Sequence, residues 1–249
     1  MMKYLLSRAS LPVVTHLAHE QTLCAFDFDG TLSPIVKHPD QADMRNRARS
    51  LLRRLSLLYP CIVVSGRGRA DVLGKLSGVK VARVLGNHCA ESETTPVSRQ
   101  RIEEWKAILE SELRLIPEIW IEDRGFSQAA HYRESPHKAE TRRQILAATG
   151  KLKHVKVFGG KQVVNLVPDV APNKGDDLAA ERDRLKCSWV LFLGDDENDE
   201  DAFALGGNIV PVRIGRKRGS LARYYLRTQM EIDVLLELLV RLRESIVPA

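Results

Sequence analysis

Two aspartates two residues apart, Asp27 and Asp29, follow directly on the apolar run Thr22-Leu23-Cys24-Ala25-Phe26 and precede Gly30-Thr31-Leu32. Carboxylates at the end of a buried strand cannot be core residues; unpaired and away from water each would cost several kcal/mol. They need a cation or a path to solvent. Carboxylates are covalent nucleophiles in phosphoryl chemistry, so Asp27 could attack phosphorus directly. Asp29 would then stand beside the leaving oxygen, first as general acid and later as the base that activates water. Gly30 permits a turn that a side chain would block. Taken alone, the same pair also fits an Asx turn opening a helix.

A second acidic run, Asp195-Asp196-Glu197-Asn198-Asp199-Glu200-Asp201, follows another apolar stretch, Trp189 to Leu193. By itself such a run reads as a solvated face or a helix N-terminus favoured by the helix dipole. Two carboxylate clusters at strand ends instead suggest a shared hard cation, for which Mg2+ is the usual partner of phosphates. Asp195 is the preferred ligand, and Asp199 a second ligand or a support for the first. Phosphate recognition needs donors as well. Ser65 and Gly66 end the run Cys61 to Val64, and Lys174 sits between Asn173 and Gly175 at a helix start. Ser65 alone is a common turn former and Lys174 alone a weak signal; with the aspartates they complete a set that could stabilise a transferring phosphoryl group.

The elements that must position these residues alternate. Apolar runs at Thr22–Phe26, Cys61–Val64, Val81–Leu85, Trp189–Leu193 and Ile209–Val212 read as strands. Helical spacing falls between them, at Met44–Leu58, near Ala70–Leu73, after Lys174, near Asp199–Leu205 and at Met230–Leu242. Strands alternating with helices predict an α/β protein with a parallel sheet covered on both faces, its chemistry beyond the carboxyl ends of the strands. Between about Ser92 and Val167 the rhythm changes to helix (Val97–Leu115), hairpin (Ile119–Glu122 with Ser127–Tyr132), helix (His137–Ala148) and hairpin (His154–Phe158 with Gln162–Val167). The second hairpin is expected to turn through Gly159-Gly160-Lys161. This is an inserted α+β domain, 93–166, within a discontinuous core, 1–92 and 167–249. Hinges are expected near Ser92–Pro96 and Val167–Pro172.

Composition excludes several classes. With 249 residues, 44% hydrophobic and 28% charged, the chain is an ordinary globular protein rather than a disordered one. Its formal charge of +6 favours an anionic substrate without identifying one. The densest basic run, Arg45 to Arg54, alternates with leucines at helical spacing and reads as the solvated face of an amphipathic helix. No basic run is interleaved with aromatics, so nucleic acid is not an expected partner. The four cysteines form no C-x-x-C pair and read as buried thiols, which points to a reducing compartment. No long uncharged apolar run could span a membrane, and Arg8 interrupts any leader-like start. A cytoplasmic enzyme acting on a small molecule, as a monomer, is the expectation.

Asp27-Phe28-Asp29-Gly30-Thr31, Ser65, Lys174 and Gly194-Asp195-Asp196 with Asp199 match, in order, the motifs of the haloacid-dehalogenase superfamily of phosphatases. Within it, the segments Leu32-Ser33-Pro34-Ile35, Val64-Ser65-Gly66-Arg67, Gly86 to Glu91, Asn173-Lys174-Gly175 and Gly194 to Phe203 resemble the trehalose-6-phosphate phosphatases, over about residues 23 to 240. The resemblance implies a Rossmann-like core with an inserted cap that closes over the sugar. It implies Asp27 as nucleophile, Asp29 as acid/base, and Mg2+ held by the Asp27 carboxylate, the Asp29 backbone carbonyl and Asp195. Ser65, Gly66 and Lys174 would bind phosphate. In the cap, Glu122, Arg124, Arg133, Lys161 and Asn165 stand where the family contacts its disaccharide and its phosphate. The chain departs from the family pattern at Cys89 (usually Gly), Asn198 (usually Thr), Arg124 (usually Lys) and Asn165 (usually Glu). The expected reaction is hydrolysis of trehalose 6-phosphate. Glucosylglycerol or glucosylglycerate phosphate as substrate, or a non-catalytic sugar-phosphate sensor, are the alternatives.

Overall fold

The computed structural model describes residues 2–36, 38–91 and 99–246. The larger of its two sheets has seven parallel strands: β1 (Lys3–Tyr4), β2 (Thr22–Phe26), β3 (Cys61–Val64), β4 (Arg83–Leu85), β9 (Trp189–Gly194), β10 (Ile209–Ile214) and β11 (Tyr224–Leu226). Their spatial order is β1-β11-β10-β9-β2-β3-β4. The central runs Leu23–Phe26, Cys61–Val64 and Val190–Leu193 are apolar throughout because both faces are covered, as parallel sheets require. On one face Cys24, Phe26, Val63, Leu191 and Val212 meet helices α1 (Leu11–His19), α2 (Asn46–Leu58), α3 (Arg69–Lys75) and α8 (Ile232–Glu244). On the other, Ala25, Ile62, Val64 and Phe192 meet α6 (Lys174–Arg184) and α7 (Glu200–Phe203). Strand alternation thus divides one apolar sequence between two cores.

Helix α2 buries Ala48, Leu51, Leu52 and Leu55, the helical spacing read from the sequence. Its arginines do more than face solvent. Arg45 makes a bidentate pair with Asp233 of α8 at 2.7 and 3.0 Å, and Arg47 and Arg54 reach Glu237 and Glu244. The basic stripe of one helix lies on the acidic stripe of the other.

The second sheet is antiparallel: β5 (Trp120–Asp123), β6 (Gln128–His131), β8 (Val163–Pro168) and β7 (Val155–Gly160), in that spatial order. One face packs Ala130, Val164 and Leu166 on Ile102, Trp105 and Leu109 of α4 (Arg99–Leu113) and on Ile145 of α5 (Lys138–Thr149). The other face looks toward the large sheet.

Two expectations need correction. Gly159 and Gly160 belong to β7 rather than to the hairpin turn; the turn is Lys161-Gln162, with Gln162 at φ 63°. Gly160 provides clearance instead, since a Cβ there would lie 2.7 Å from Val163 and 3.2 Å from Asp196. The β4 strand starts at Arg83, not Val81. The expected hinge Ser92–Pro96 lies outside the described residues, while β8 extends into the other, to Pro168.

Candidate active site

Asp27 follows β2 and Asp195 follows β9, adjacent strands in register from Thr22↔Trp189 to Phe26↔Leu193. The two carboxylates therefore emerge side by side. Asp27, Asp195 and Asp199 form a buried cluster, each offering an oxygen within 4.8 Å of the others. Gly30, at φ 81°, makes this approach possible, because a Cβ there would overlap the Asp195 carboxylate.

Lys174 is the cation within this cluster. Asn173 caps α6, its Oδ1 accepting from the Asp176 amide at 2.9 Å, which points Lys174 inward from the helix start. The Lys174 ammonium is 3% exposed and donates to Asp27 at 2.9 Å and Asp199 at 2.6 Å. Asp199 also accepts from the amides of Asp195 and Asp196, at 2.8 and 2.9 Å. It fastens the loop that presents Asp195. Arg213, unremarked in the sequence, fastens it from below, donating to the carbonyls of Asp195 (2.5 Å) and Asp196 (3.0 Å) and to Glu200 (2.9 Å).

The cluster is short of positive charge. Burial pushes the Asp27 carboxyl well above its usual range; Lys174 opposes the shift, while Asp199 and Asp195 add to it. Burial likewise pushes Asp195 up to about 6, against the pull of Lys161. The Lys161 ammonium lies on Asp195 Oδ2, and Oδ1, also buried, has no hydrogen-bond partner among the described residues. An orphaned carboxylate oxygen beside two further carboxylates is a donor set that suits a hard divalent cation.

Ser65, 1% exposed, closes β3, its amide bonded to Leu85 O (2.8 Å) and its carbonyl accepting from the His88 amide (3.0 Å). Its hydroxyl accepts from the Arg67 amide at 3.2 Å. Gly66 is fixed by the His88 ring, which occupies the space a Cβ would need. Asp29 is held apart from the cluster: Arg67 grips its carboxylate at 2.6 and 2.8 Å.

The cap reaches down at several points. Arg124 donates to Gly66 O at 2.9 Å, Ser127 to Asn87 Oδ1 at 2.9 Å, and Arg133 to Val36 O at 2.7 Å. Arg124 also donates to Asn165 Oδ1 (3.3 Å) and to Glu122 (2.6 and 2.9 Å). Glu122 in turn meets His131 at 2.9 Å. Burial alone would raise the Glu122 carboxyl, but the His131 hydrogen bond and the Arg124 charge hold it down to about 2. Together these groups line a cavity of about 330 Å3 that also contains Asp27, Asp29, Asp195 and Gly66. Glu122, Arg124, Arg133, Lys161 and Asn165 all border it; Ser65 and Lys174 do not, both being buried, with Lys174 held on Asp27.

Sequence reasoning left His88, Arg67, Arg213 and Trp120 without roles. His88 is wedged between core and cap, its ring edge-on to Phe158 at 4.8 Å, with Asn198 3.2 Å and Arg124 3.4 Å from its two nitrogens. Burial, then the charges of Arg124 and Lys174, push its pKa well down. Asn87, His88 and Cys89 stand successively at φ 53°, 52° and 72°. Such left-handed strain clusters at functional sites, and at position 89 a glycine would be free of it.

Comparison with known proteins identifies relatives of this chain. The trehalose-phosphatase family model matches residues 25–220. The trehalose-phosphate phosphatase of Mycobacterium ulcerans is 32% identical over 206 residues, 76% of this chain and 53% of the relative. The chain spans between 53% and 60% of the length of such curated relatives. Among solved structures, the C-terminal domain of Candida albicans trehalose-6-phosphate phosphatase superposes with a TM-score of 0.81 at 21% identity, covering 97% of this chain and 99% of that one. BT1666 of Bacteroides thetaiotaomicron, described among haloalkanoate-superfamily phosphatases, has a TM-score of 0.61 at 15% identity, over 88% and 94%. The parallel sheet with its separate antiparallel cap sheet is the haloacid-dehalogenase architecture, and the chain belongs to the trehalose-phosphatase family.

Proposed function

We propose that this chain is a Mg2+-dependent phosphatase that hydrolyses trehalose 6-phosphate to trehalose and phosphate through an aspartyl-phosphate on Asp27. The observation that supports it most is the unpartnered Oδ1 of Asp195 within the carboxylate cluster of Asp27 and Asp199. Asp27, the Asp29 carbonyl and Asp195 would hold the ion, with Asp199 behind them. When bound, Mg2+ supplies the positive charge that keeps Asp27 ionised and offsets charge on the phosphoryl oxygens.

Asp27 attacks phosphorus with one carboxylate oxygen, and the bond from phosphorus to the sugar oxygen breaks. Asp29, turned away from Arg67 and protonated, gives its proton to that oxygen as trehalose leaves. Asp29, now ionised, takes a proton from water as the water attacks phosphorus, the phosphorus–Asp27 bond breaks, and phosphate is released. Lys174 keeps Asp27 oriented and, with Ser65 and Gly66, accommodates the phosphoryl oxygens. The cap excludes water and positions the sugar through Glu122, Arg124, Arg133 and Lys161. The four cysteines are all free and buried, which supports work in a reducing, cytoplasmic setting. Among the described residues no helix is long and apolar enough to cross a membrane.

Asn165 supports a second reading of the substrate. It is uncharged and already accepts from Arg124, so it offers a sugar fewer acceptor positions than a carboxylate would. A phosphorylated glucosylglycerol or glucosylglycerate would ask less of it. A panel of these phosphates, assayed with and without EDTA, decides: preferential, EDTA-sensitive release from trehalose 6-phosphate is expected. Release from another member of the panel alone would transfer the assignment to that substrate.

A further inference from the structure

The register of the cap sheet arranges its core-facing side chains in two rows. One runs Phe158, Asn165, Ala129, Glu122; the other runs Gly160, Val163, His131, Trp120. Gly160 ends the second row against Asp196 and just before Lys161, which meets Asp195. Trp120 ends it on the outer strand β5, three strands away, or about 14 Å at the usual strand spacing of ~4.8 Å. The row therefore leads from the phosphorus-handling end of the cavity to a far end closed by an indole.

Trp120 is held for use there. It lines the same cavity as Asp27 and Asp195, yet 47% of its surface is exposed. Its ring stacks on His131 with centroids 4.0 Å apart and planes 4° from parallel. His131 is fixed by Glu122, and Glu122 by Arg124, which also grips Gly66 O of the core. Among the described residues the indole N–H has no acceptor, so its donor is open to a ligand. A half-exposed, rigidly backed indole with a free donor suits the C–H surface and hydroxyls of a sugar ring.

Resting on the phosphatase reading above, we infer that Trp120 is a specificity-determining residue that packs against the part of the substrate carrying no phosphate. The second ring of a phosphorylated disaccharide reaches it; a monosaccharide phosphate falls short.

The experiment compares trehalose 6-phosphate with glucose 6-phosphate in the unaltered protein, Trp120→Ala and Trp120→Phe. Trp120→Ala is expected to raise KM for the disaccharide about tenfold with kcat little changed, as loss of one aromatic contact implies. Its kcat/KM for glucose 6-phosphate should stay within about twofold of the unaltered protein, since that substrate ends before the indole. Trp120→Phe should recover most of the disaccharide KM. Equal loss on both substrates, or an unchanged disaccharide-to-monosaccharide ratio, overturns this inference and leaves the phosphatase reading standing. Failure of the unaltered protein to release phosphate from any sugar phosphate overturns both.

Discussion

The ammonium of Lys161, on the cap, rests on Asp195 Oδ2, on the core, while Asp195 Oδ1 has no partner. A tethered cation thus covers one oxygen of a carboxylate that, on the reading above, would hold a divalent ion. Two cations near one carboxylate repel each other, so Lys161 and the ion oppose each other until substrate phosphate lies between them. Lys161→Met should therefore tighten Mn2+ binding to the substrate-free protein by about threefold or more, measured by titration calorimetry. It should also raise KM for the sugar phosphate. Unchanged or weaker Mn2+ affinity would contradict this view of the pair.

Among the described residues Lys174 is the one cation hydrogen-bonded to the buried carboxylates of Asp27 and Asp199. Replacing it with methionine leaves Asp27 and Asp199 uncompensated and should cost about 3–5 kcal/mol, read from urea unfolding at pH 7.5. Phosphate release should vanish with it. The loss should shrink at pH 5, because the Asp27 carboxyl, already pushed up by burial, takes a proton more readily once Lys174 is gone. An equal loss at both pH values would show that Lys174 acts there only through packing.

His88 makes stability fall with acid. Its folded pKa lies below the ordinary 6.5, so below that pH the unfolded chain binds a proton that the folded chain refuses. The contribution is complete above pH 6.5 and is lost as pH falls toward the folded pKa, at up to about 1.4 kcal/mol per pH unit. Urea unfolding between pH 7.5 and 5.5 should show this slope in the unaltered protein. His88→Gln should flatten it; an unchanged slope would assign the effect to other groups.

Gly30 should not tolerate a methyl group. Gly30→Ala drives a Cβ into the Asp195 carboxylate at a left-handed φ, displacing the group that must sit beside Asp27. Misplacement on the scale of an ångström costs about a hundredfold in turnover. The far-ultraviolet circular dichroism should stay as in the unaltered protein. Activity within a factor of about three would refute the requirement for close approach.

Much of this could be read from the sequence because the core obeys local rules. Thr22–Phe26, Cys61–Val64 and Trp189–Gly194 are short apolar runs ending in chemistry-bearing residues, and parallel pairing brings their ends together. Two-residue β1 and three-residue β11 were invisible because they gain their strand character from the neighbouring edge, not from their own pattern. The helix α1 mixes Pro12, β-branched Val13, Val14 and Thr15, and two histidines, all poor helix formers, and is held by tertiary packing of Val14 and Leu17. Gly159 and Gly160 carried the signature of a turn, but the small size of Gly160 answers to its strand partner Val163 and to Asp196 of the core, which no local rule reveals. His88, Arg213 and Trp120 escaped notice for the same reason: each acquires its role from partners more than ten residues away.

On the proposed mechanism Asp27 makes and breaks a bond to phosphorus. Phosphate release from trehalose 6-phosphate with Mg2+ should proceed in the unaltered protein and fall by about a thousandfold or more in Asp27→Asn. Acid quenching during turnover should trap phosphate on a peptide containing Asp27, detected as a mass increase. Turnover by Asp27→Asn comparable to the unaltered protein, or label on any other residue, would contradict the account.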